Sequence, residues 1–401
     1  MRDKNILLSI GILVAGKKKD VWKCLDSLGH LRERVPCELI ITDTGCDEET
    51  HNRLAEYADI LLDFEWCNDF SAARNTGIRA AHGKWFMFID DDEWFENTAG
   101  LEKFFTGGKY KRYGSGAYKI RNYKDFEGRE YLDSWITRLF KLKSDTRFES
   151  RIHEMIVPFE GPTAQIDDFV HHFGYLYRTE EEAHAHYLRN KVLLEEMIRE
   201  DPGNLRWHVH LVQEYMTHGD YEPMLEASKA GLKAAHGNLK PEDRVLLGTF
   251  YGGEYLSCYA RGMLQEAYDA CMEGLADERN TQMCRAFLSL MAAQYCVGEE
   301  NMDAAQKHME EYEKNRIWLK ENPRQEFFQS NCAFIRNYDT DSNRGIAQRI
   351  NAALLLDAAK RAIGAGARIE DVAPAIKRAV ELDPKLAEDA KTALKGKNNS
   401  H

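Results

Sequence analysis

The residues best suited to chemistry are four consecutive acids at positions 90–93, which directly follow an apolar run written WFMFI. Neighbouring carboxylates repel one another and resist burial, so such a cluster either binds a cation or is solvated. At the end of a buried strand, carboxylates can bind Mg²⁺ or Mn²⁺, hard cations that prefer oxygen ligands and often bind a diphosphate as well. The metal would stabilise a leaving group that carries phosphate charge. A solvated acidic turn is the less favoured alternative.

A second set of polar residues belongs to the same chemistry. Asp43 follows the apolar run ELIIT, and its carboxylate can accept a hydrogen bond from a nucleotide base or a ribose hydroxyl. The alternative is a helix cap, but Asp47 and Glu48 already favour a helix start just beyond it, so both roles are compatible. Arg74, in NDFSAARN, can face a diphosphate; a surface ion pair is its alternative.

The elements that must position these residues alternate along the first part of the chain. ILLSIGILVA, CELIITDTG and KWFMFID have the near-continuous apolar pattern of buried strands, and amphipathic stretches such as DVWKCLDSLGHL and CDEETHNRLAEYA separate them. This alternation predicts a parallel sheet covered by helices, which binds ligands at the carboxyl ends of its strands. The N-terminal apolar run also resembles a signal peptide, but KKKD follows it without a cleavage site, so a strand at residues 6–15 is favoured.

The pattern changes twice further along the chain. Residues 116–177 contain strand-like stretches separated by Gly and Pro, which predicts a mixed, partly antiparallel extension of the sheet. From residue 179 the pattern is helical, and Thr179 with Glu182 forms a capping box. We therefore predict an α/β domain at residues 1–178, an all-α domain at residues 179–394 and a tail at residues 395–401.

The helical part resembles tetratricopeptide repeats. DPGNLRWHVHLVQEYMTHGDYEPMLEASKAGLKAA has two helical patterns joined at GDY, with Trp207, Leu211, Tyr215, Ala227 and Leu232 on the apolar faces. Weaker copies of the pattern follow. Because concave repeat surfaces bind extended partners, this part is expected to recruit an acceptor or a second copy of the chain as a homodimer.

Composition narrows the function classes. The net charge is −12, which argues against nucleic acid or an anionic membrane as the main partner. The nine cysteines include no C-x-x-C pair, so we expect free thiols in a reducing cytoplasm rather than a disulfide framework. No run of 18 or more apolar residues occurs, so we predict no membrane-spanning helix.

These motifs, taken together, resemble the family-two glycosyltransferases of GT-A fold, whose α/β domain is Rossmann-like with a mixed sheet. The order IGILV, CLDSL, IITDTGCDEET and WCNDFSAARNTGIRAAHGKWFMFIDDDEWF carries the resemblance, which continues through WITRLFKL and IHE to HHFGY. It covers roughly residues 5–235. The sublancin-type peptide S-glycosyltransferases are one similar branch.

The resemblance implies roles for the acids and for one arginine. Asp43 matches the acid that contacts the nucleotide base. Asp90 and Asp92 match the two acids of the D-x-D motif, the first near the ribose and metal and the second a ligand of Mn²⁺ or Mg²⁺. Asp91 fills the variable middle position of that motif in the donor site. Arg74 matches an arginine near the donor.

Further positions follow from the later motifs. The resemblance implies that Glu154 in IHE is the catalytic carboxylate, with His153 beside it. Trp135 and Arg138 match a pair near the donor or acceptor; sheet packing is their alternative.

The HHFGY motif carries the last implied role. His172 matches a histidine that completes the metal site, with His171 as the rival and a core or capping histidine as the alternative. One departure from the family is Ala15-Gly16-Lys17 after the first strand, where many relatives have a polar pair.

The implied reaction is inverting transfer of a sugar from a nucleotide-sugar, by family habit a UDP-sugar, to a peptide, protein or glycan acceptor. Two other classes stay open. One is a degenerate enzyme domain in a repeat-based binding protein. The other is a metal-dependent nucleotidyltransferase or phosphohydrolase, which would release pyrophosphate or phosphate instead of a nucleoside diphosphate.

Overall fold

The structure is a computed structural model that describes residues 6–16, 20–174, 176–177, 179–332 and 339–395. Lys17 and all of the expected tail except Lys395 lie outside these ranges. Contacts divide the chain into two compact units, Met1–Leu193 and Leu194–His401. That division lies inside the helix that begins at Glu180, whereas the sequence pattern places the boundary just before this helix.

The strands lie in the first unit. In chain order they are β1 (Leu8–Val14), β2 (Cys37–Asp43), β3 (Ile60–Asp63), β4 (Trp85–Asp90), β5 (Glu93–Phe95), β6 (Ser115–Tyr123), β7 (Tyr131–Lys141), β8 (Arg147–Glu149), β9 (Met155–Val157) and β10 (Thr163–His172). The helices that begin in this unit are α1 (Val21–Ser27), α2 (Gly29–Arg34), α3 (Glu48–Tyr57), α4 (Phe70–Ala80), α5 (Ala99–Thr106) and α6 (Glu180–Glu200).

Eight strands form one mixed sheet in the order β3-β2-β1-β4-β7-β6-β10-β5. The first four are parallel to one another, as the alternating strand and helix pattern predicts. β7 joins β4 in the antiparallel sense and forms an antiparallel hairpin with β6, and β10 is parallel to β6. The predicted mixed extension of a parallel sheet is therefore confirmed. β8 and β9 form a separate small hairpin.

Helices cover both faces of the sheet because the parallel strands are apolar on both faces. On one face, alternate residues of β1 and β4 pack with apolar residues of α1, α2 and α5 in the main core. On the other face, α4 and the β8–β9 hairpin contribute to a smaller aromatic cluster around Phe86, Phe140 and Phe148. Gly11 of β1 is needed there, since a Cβ would lie 2.3 Å from the ring of Phe86.

The second unit is helical. After the end of α6 it contains α7 (Leu205–His218), α8 (Tyr221–Asn238), α9 (Leu247–Ala260), α10 (Leu264–Ala276), α11 (Gln282–Gly298), α12 (Met302–Glu321), α13 (Pro323–Cys332), α14 (Asp341–Gly364), α15 (Ile369–Leu382) and α16 (Ala387–Lys395). The fold class expected from the sequence, an α/β part followed by an all-α part, is confirmed. None of the described helices is both long and apolar enough to span a membrane.

Consecutive helices of the second unit pair through short turns. The turns after α7 and α9 contain Gly219 and Gly262 at φ 72° and 75°, in the left-handed region that favours glycine. The apolar residues expected on the first helix pair are all buried, including Trp207, Leu211 and Tyr215. This is the pattern of helix pairs that bury their apolar faces against neighbours.

Candidate functional site

Asp43 and Asp90 end the two strands on either side of β1. In the parallel ladders, Asp43 pairs with Val14 and Asp90 pairs with Leu13. The chain leaves β1 for β2 on one side and later returns to β4 on the other side, and open α/β sheets bind ligands at such a switch point. Since neighbouring strands lie about 4.8 Å apart, the two residues stand roughly 10 Å apart across this crevice.

Two arginines connect three of the acids at this edge. Arg74 of α4 donates from Nη2 to Asp90 Oδ1 at 2.5 Å and from Nε to Glu154 Oε1 at 2.6 Å. Arg138 of β7 donates from Nη2 to Asp90 Oδ2 at 2.8 Å and to Glu93 Oε1 at 2.6 Å. Both arginines are buried, so neither is in a surface ion pair. The structure thus joins Glu154, Asp90 and Glu93 in one network, which we call the arginine–carboxylate network.

The charges in this network change the pKa values of its acids. Burial opposes ionisation of Asp90, but the charges of Arg138 and Arg74 outweigh it and hold the pKa of Asp90 well below its usual range. For Glu93 burial dominates, and with the neighbouring Asp90 and Asp92 it raises the pKa to about 8 against the opposing effect of Arg138. Asp90 is therefore ionised.

Helix α4 also positions the segment that carries Glu154. The Asn75 side chain donates to the Phe148 carbonyl at 2.9 Å and accepts from the Phe148 N–H at 2.8 Å. The Ser71 hydroxyl donates to the Ser150 carbonyl at 2.5 Å. Serine, arginine and asparagine of the SAARN motif therefore all bind residues 148–154, which explains their spacing on one side of the helix.

Asp92 and His172 converge on one point beside this network. Asp92 Oδ2 and His172 Nε2 lie 3.0 and 2.3 Å from the position that a Cβ on Gly174 would occupy. The other ring nitrogen, His172 Nδ1, lies 2.7 Å from Asn122 Oδ1, which fixes the orientation of the ring. The absence of a side chain at Gly174 therefore leaves room for the two polar atoms to face each other.

His171 has a different environment. Its Nδ1 lies 2.7 Å from the Tyr123 hydroxyl and its Nε2 lies 2.7 Å from Glu96 Oε2. Its ring stacks with Trp94, at 5.4 Å between centroids and an interplanar angle of 20°. Both ring nitrogens of His171 are therefore engaged within the protein.

Asp43 is held in place from both of its oxygens. Oδ1 accepts hydrogen bonds from the backbone N–H groups of Gly45 and Cys46, at 2.9 and 2.8 Å, and Oδ2 lies 2.7 Å from His51 Nδ1. Burial opposes the ionised form, but these hydrogen bonds lower the pKa of Asp43 overall. The hydrogen bond to Asp43 raises the pKa of His51. Asp43, His51 and Asp63 form a group of three side chains. The atoms with which they could bind a metal ion, one from each, lie within 4.8 Å of one another.

The remaining predicted site residues are Asp91, His153 and Trp135. Asp91 is buried, and its charge contributes to the raised pKa of the Cys24 thiol, for which burial is the main cause. His153 lies next to Glu154 with φ 53°. Trp135 is 44% exposed and its ring faces the Lys119 ammonium at 5.1 Å. Among the described contacts, none joins Trp135 to the arginine–carboxylate network.

Sequence reasoning assigned no individual role to three residues of this site, Glu93, His51 and Asn122. Glu93 was visible in the acidic run, but its partner Arg138 comes from a distant strand. His51 lies eight positions after Asp43 on α3, a spacing that signals nothing by itself. Asn122 reaches His172 only because β6 and β10 are neighbours in register.

Comparisons with known proteins give a family match and relatives for part of the chain. Residues 9–160 match the family described as Glycosyl transferase family 2. The SPbeta prophage-derived glycosyltransferase SunS of Bacillus subtilis is 29% identical over 208 residues, which is 50% of this chain and 47% of that protein. A TPR repeat-containing protein of Synechococcus elongatus is 29% identical over 155 residues, 37% of this chain and 35% of that protein. The chain thus spans less than half the length of these relatives.

Solved structures show a weaker likeness. Residues 1–349 of TarS from S. aureus give a TM-score of 0.34 at 10% identity, covering 77% of this chain and 91% of that one. The same fragment in complex with UDP-GlcNAc gives a TM-score of 0.34 at 12% identity, covering 77% and 92%. The sequence matches thus make residues 9–160 of this chain similar to a glycosyltransferase family 2 domain.

Proposed function

We propose that this protein is an inverting, metal-dependent glycosyltransferase that moves a sugar from a nucleotide-sugar, first of all a UDP-sugar, to an acceptor nucleophile. The observation that carries the proposal is the arginine–carboxylate network, which places Glu154 and Asp90 on the same arginine at the ligand-binding edge of a family 2 domain. Buried ion pairs contribute little net stability compared with apolar packing, and clusters of buried, mutually perturbed charges are typical of functional sites, which favours an active enzyme over a degenerate domain.

The residues have separate tasks in the proposed reaction. Asp43, fixed by two backbone N–H groups and His51, is oriented to accept from the nucleotide base. Asp90 is held ionised near the ribose by Arg74 and Arg138. Glu154 takes the proton of the acceptor as the acceptor attacks the anomeric carbon. The bond from that carbon to the diphosphate oxygen breaks, and the nucleoside diphosphate leaves.

Two side-chain atoms near Gly174 suit a divalent cation as ligands. A carboxylate oxygen from Asp92 and an imidazole nitrogen from His172 suit Mn²⁺, and Mg²⁺ less well because it prefers oxygen ligands. Asn122 holds His172 through its other nitrogen, as an outer partner of a ligating histidine does. When bound, the cation would neutralise charge that develops on the diphosphate.

Donor binding is tested by thermal stability with UDP, GDP, CDP and dTDP, each with and without Mn²⁺. A ligand at a hundredfold excess over its Kd stabilises the folded state by about 2.7 kcal/mol. A rise in Tm for one nucleotide that requires Mn²⁺ supports the proposal. The products then separate the enzyme classes, since a nucleotidyltransferase or phosphohydrolase would release pyrophosphate or phosphate. No rise with any nucleotide would contradict a nucleotide-sugar site.

The first prediction concerns the proposed base. Glu154→Gln keeps the size of the side chain and its contact with Arg74 but removes the proton acceptor. Turnover should fall by about 10² to 10⁴-fold, which is the usual contribution of a general base. The rise in Tm that nucleotide binding causes should be retained. Steady-state kinetics measure this, with Glu149→Gln as the control because Glu149 is exposed and pairs with Arg147. Wild-type turnover in Glu154→Gln would remove Glu154 from this role.

A further inference from the structure

One edge of β7 is open next to the candidate site. β7 pairs with β6 along most of its length, from Tyr131 to Phe140, but on its other side it pairs with β4 only at Leu139–Lys141. Over residues 131–137, no backbone partner on that side occurs in the described part of the chain. Unpaired N–H and C=O groups along a strand edge are a template for another strand.

The open segment faces the crevice where the proposed reaction takes place. β7 is antiparallel to β4, and continuing the register from Met87 and Leu139 brings Ile136 level with Asp90, so residues 131–135 extend beyond the carboxyl end of β4. Arg138, the residue at which the two strands separate, donates to Asp90. Residues 131–137 therefore border the same crevice as the arginine–carboxylate network.

The side chains of this segment suit a partner in extended conformation. All residues from 131 to 136 are exposed, although four of the six are aromatic or aliphatic. Leu132 and Ile136 lie opposite Asn122 and Tyr118, while Tyr131 and Trp135 lie opposite Tyr123 and Lys119. Apolar residues thus flank the open edge on both faces of the strand, which matches the alternating side chains of an added strand.

From these observations we propose that the acceptor is a polypeptide that binds in extended conformation along the open edge of β7, as an added strand at residues 131–137. This inference rests on the proposed function. A strand edge offers alternating backbone donors and acceptors, which another peptide backbone satisfies in sequence and a saccharide does not. Main-chain hydrogen bonds would supply affinity, and the flanking apolar residues would select side chains.

The chemistry at such an acceptor is complete without further reagents. A hydroxyl or thiol side chain of the bound peptide forms the new bond to the anomeric carbon. Its proton passes to Glu154, and the nucleoside diphosphate leaves with the electron pair of the broken carbon–oxygen bond. Because the edge lies beside Asp90, the peptide would be held next to the donor.

The experiment uses the full chain with the nucleotide-sugar identified by the thermal assay. The probe is a pool of degenerate 13-residue peptides with a central Ser, Thr or Cys, and mass spectrometry detects transfer. Oligosaccharides and free Ser and Cys serve as competing acceptor classes. Nucleotide binding and acceptor-independent donor hydrolysis are measured in parallel, so loss of the donor site is distinguished from loss of acceptor docking.

Two proline variants test the backbone contact directly. Neighbouring residues point their N–H groups to opposite edges of a strand, so only one of Asp133→Pro and Ser134→Pro removes a donor from the open edge, and the other breaks the pairing with β6. The variant that keeps the wild-type Tm is the informative one. It should lose at least tenfold in peptide transfer while nucleotide binding and hydrolysis are unchanged, and the alanine variant at the same position should retain transfer.

A second pair of variants covers the case in which neither proline variant folds. Leu132→Asp should lower peptide transfer at least tenfold, whereas Ile317→Asp, at a residue of nearly equal exposure (50% against 51%), should not. Three results overturn the proposal while leaving the donor site intact. They are full peptide transfer in the informative variants, transfer to oligosaccharides with none to peptides, or a dimer in sedimentation that the same variants abolish.

Discussion

The four consecutive acids have different environments, which is how the fold accommodates them at the end of a core strand. Asp90 lies between two arginines, Glu93 pairs with Arg138, and Asp91 is buried on the side of Cys24. Asp92 instead points to His172. Asp90 and Glu93 are thus compensated by arginines, because uncompensated charges so close together could not stay in a partly buried site.

A second prediction concerns the two proposed metal ligands. Asp92→Asn removes a charged oxygen ligand. The additional rise in Tm that the nucleotide causes when Mn²⁺ is present should therefore disappear. His172→Asn should act in the same direction, and Asn122→Ala should weaken Mn²⁺ binding about 10 to 100-fold, as is typical when an outer partner is lost. His171→Asn is the control, since both ring nitrogens are engaged elsewhere. Unchanged Mn²⁺ dependence in Asp92→Asn would exclude Asp92.

A third prediction follows from the pair of His51 and Asp43. The pKa of His51 is raised in the folded state, so the pair contributes stability below the unfolded pKa of about 6.5 and loses it as pH rises through the raised value. The difference in Tm between wild type and His51→Asn should therefore be larger at pH 6 than at pH 8.5. Exposed His30→Asn serves as control. A difference that grows with pH would contradict the pairing.

At the scale of elements, α4 is the part of the fold that connects the donor edge to the proposed base. It packs against the sheet on one side, and its Ser71, Arg74 and Asn75 bind the segment that carries Glu154. The SAARN motif, the most specific in the sequence, therefore makes tertiary contacts that hold this segment, and its role is not limited to binding a ligand.

A fourth prediction tests this connection. Asn75→Ala leaves the buried N–H and C=O of Phe148 without their partner, which should destabilise the fold by about 1–3 kcal/mol. If Asn75 acts by positioning Glu154, turnover should fall while KM for the donor stays near the wild-type value. Chemical denaturation and kinetics measure the two effects. Asn97→Ala, at an exposed helix start, is the control, and a rise in KM alone would indicate a role in donor binding instead.

At the scale of the whole molecule, the boundary between the two units decides which fragment carries the candidate site. The sequence pattern places it after residue 178, at the change from strands to helices. Contacts place it at residue 193 inside α6, and Arg189 of this helix lies 5.4 Å from the Phe70 ring of α4. The first half of α6 therefore packs as part of the first unit.

The fifth prediction compares two truncated chains. A fragment that ends after residue 200 keeps α6 and should retain the nucleotide-dependent rise in Tm. A fragment that ends after residue 178 lacks α6 and the contact of Arg189 with the Phe70 ring, so it should melt at a lower temperature or aggregate. Differential scanning calorimetry checks both. Equal melting temperatures would support the boundary after residue 178.

The sequence by itself determined the main elements and the edge of the sheet at which the acids gather. Strand and helix periodicity, set by side chains a few residues apart, predicted β1, β2, β4 and the helices between them, and the capping role of Asp47. It also predicted that Asp43 and Asp90 meet at one sheet edge, because parallel strands end on the same side.

Only the tertiary structure decided which partner each site residue has. The bonds of Arg74 to Glu154, of Arg138 to Glu93 and of His172 to Asn122 join residues 45 to 80 positions apart. The separation of β7 from β4 beyond Leu139, which leaves the open edge, also depends on strands distant in sequence. Local periodicity carries no information on such pairings, since strand order and register are set by packing across the whole sheet.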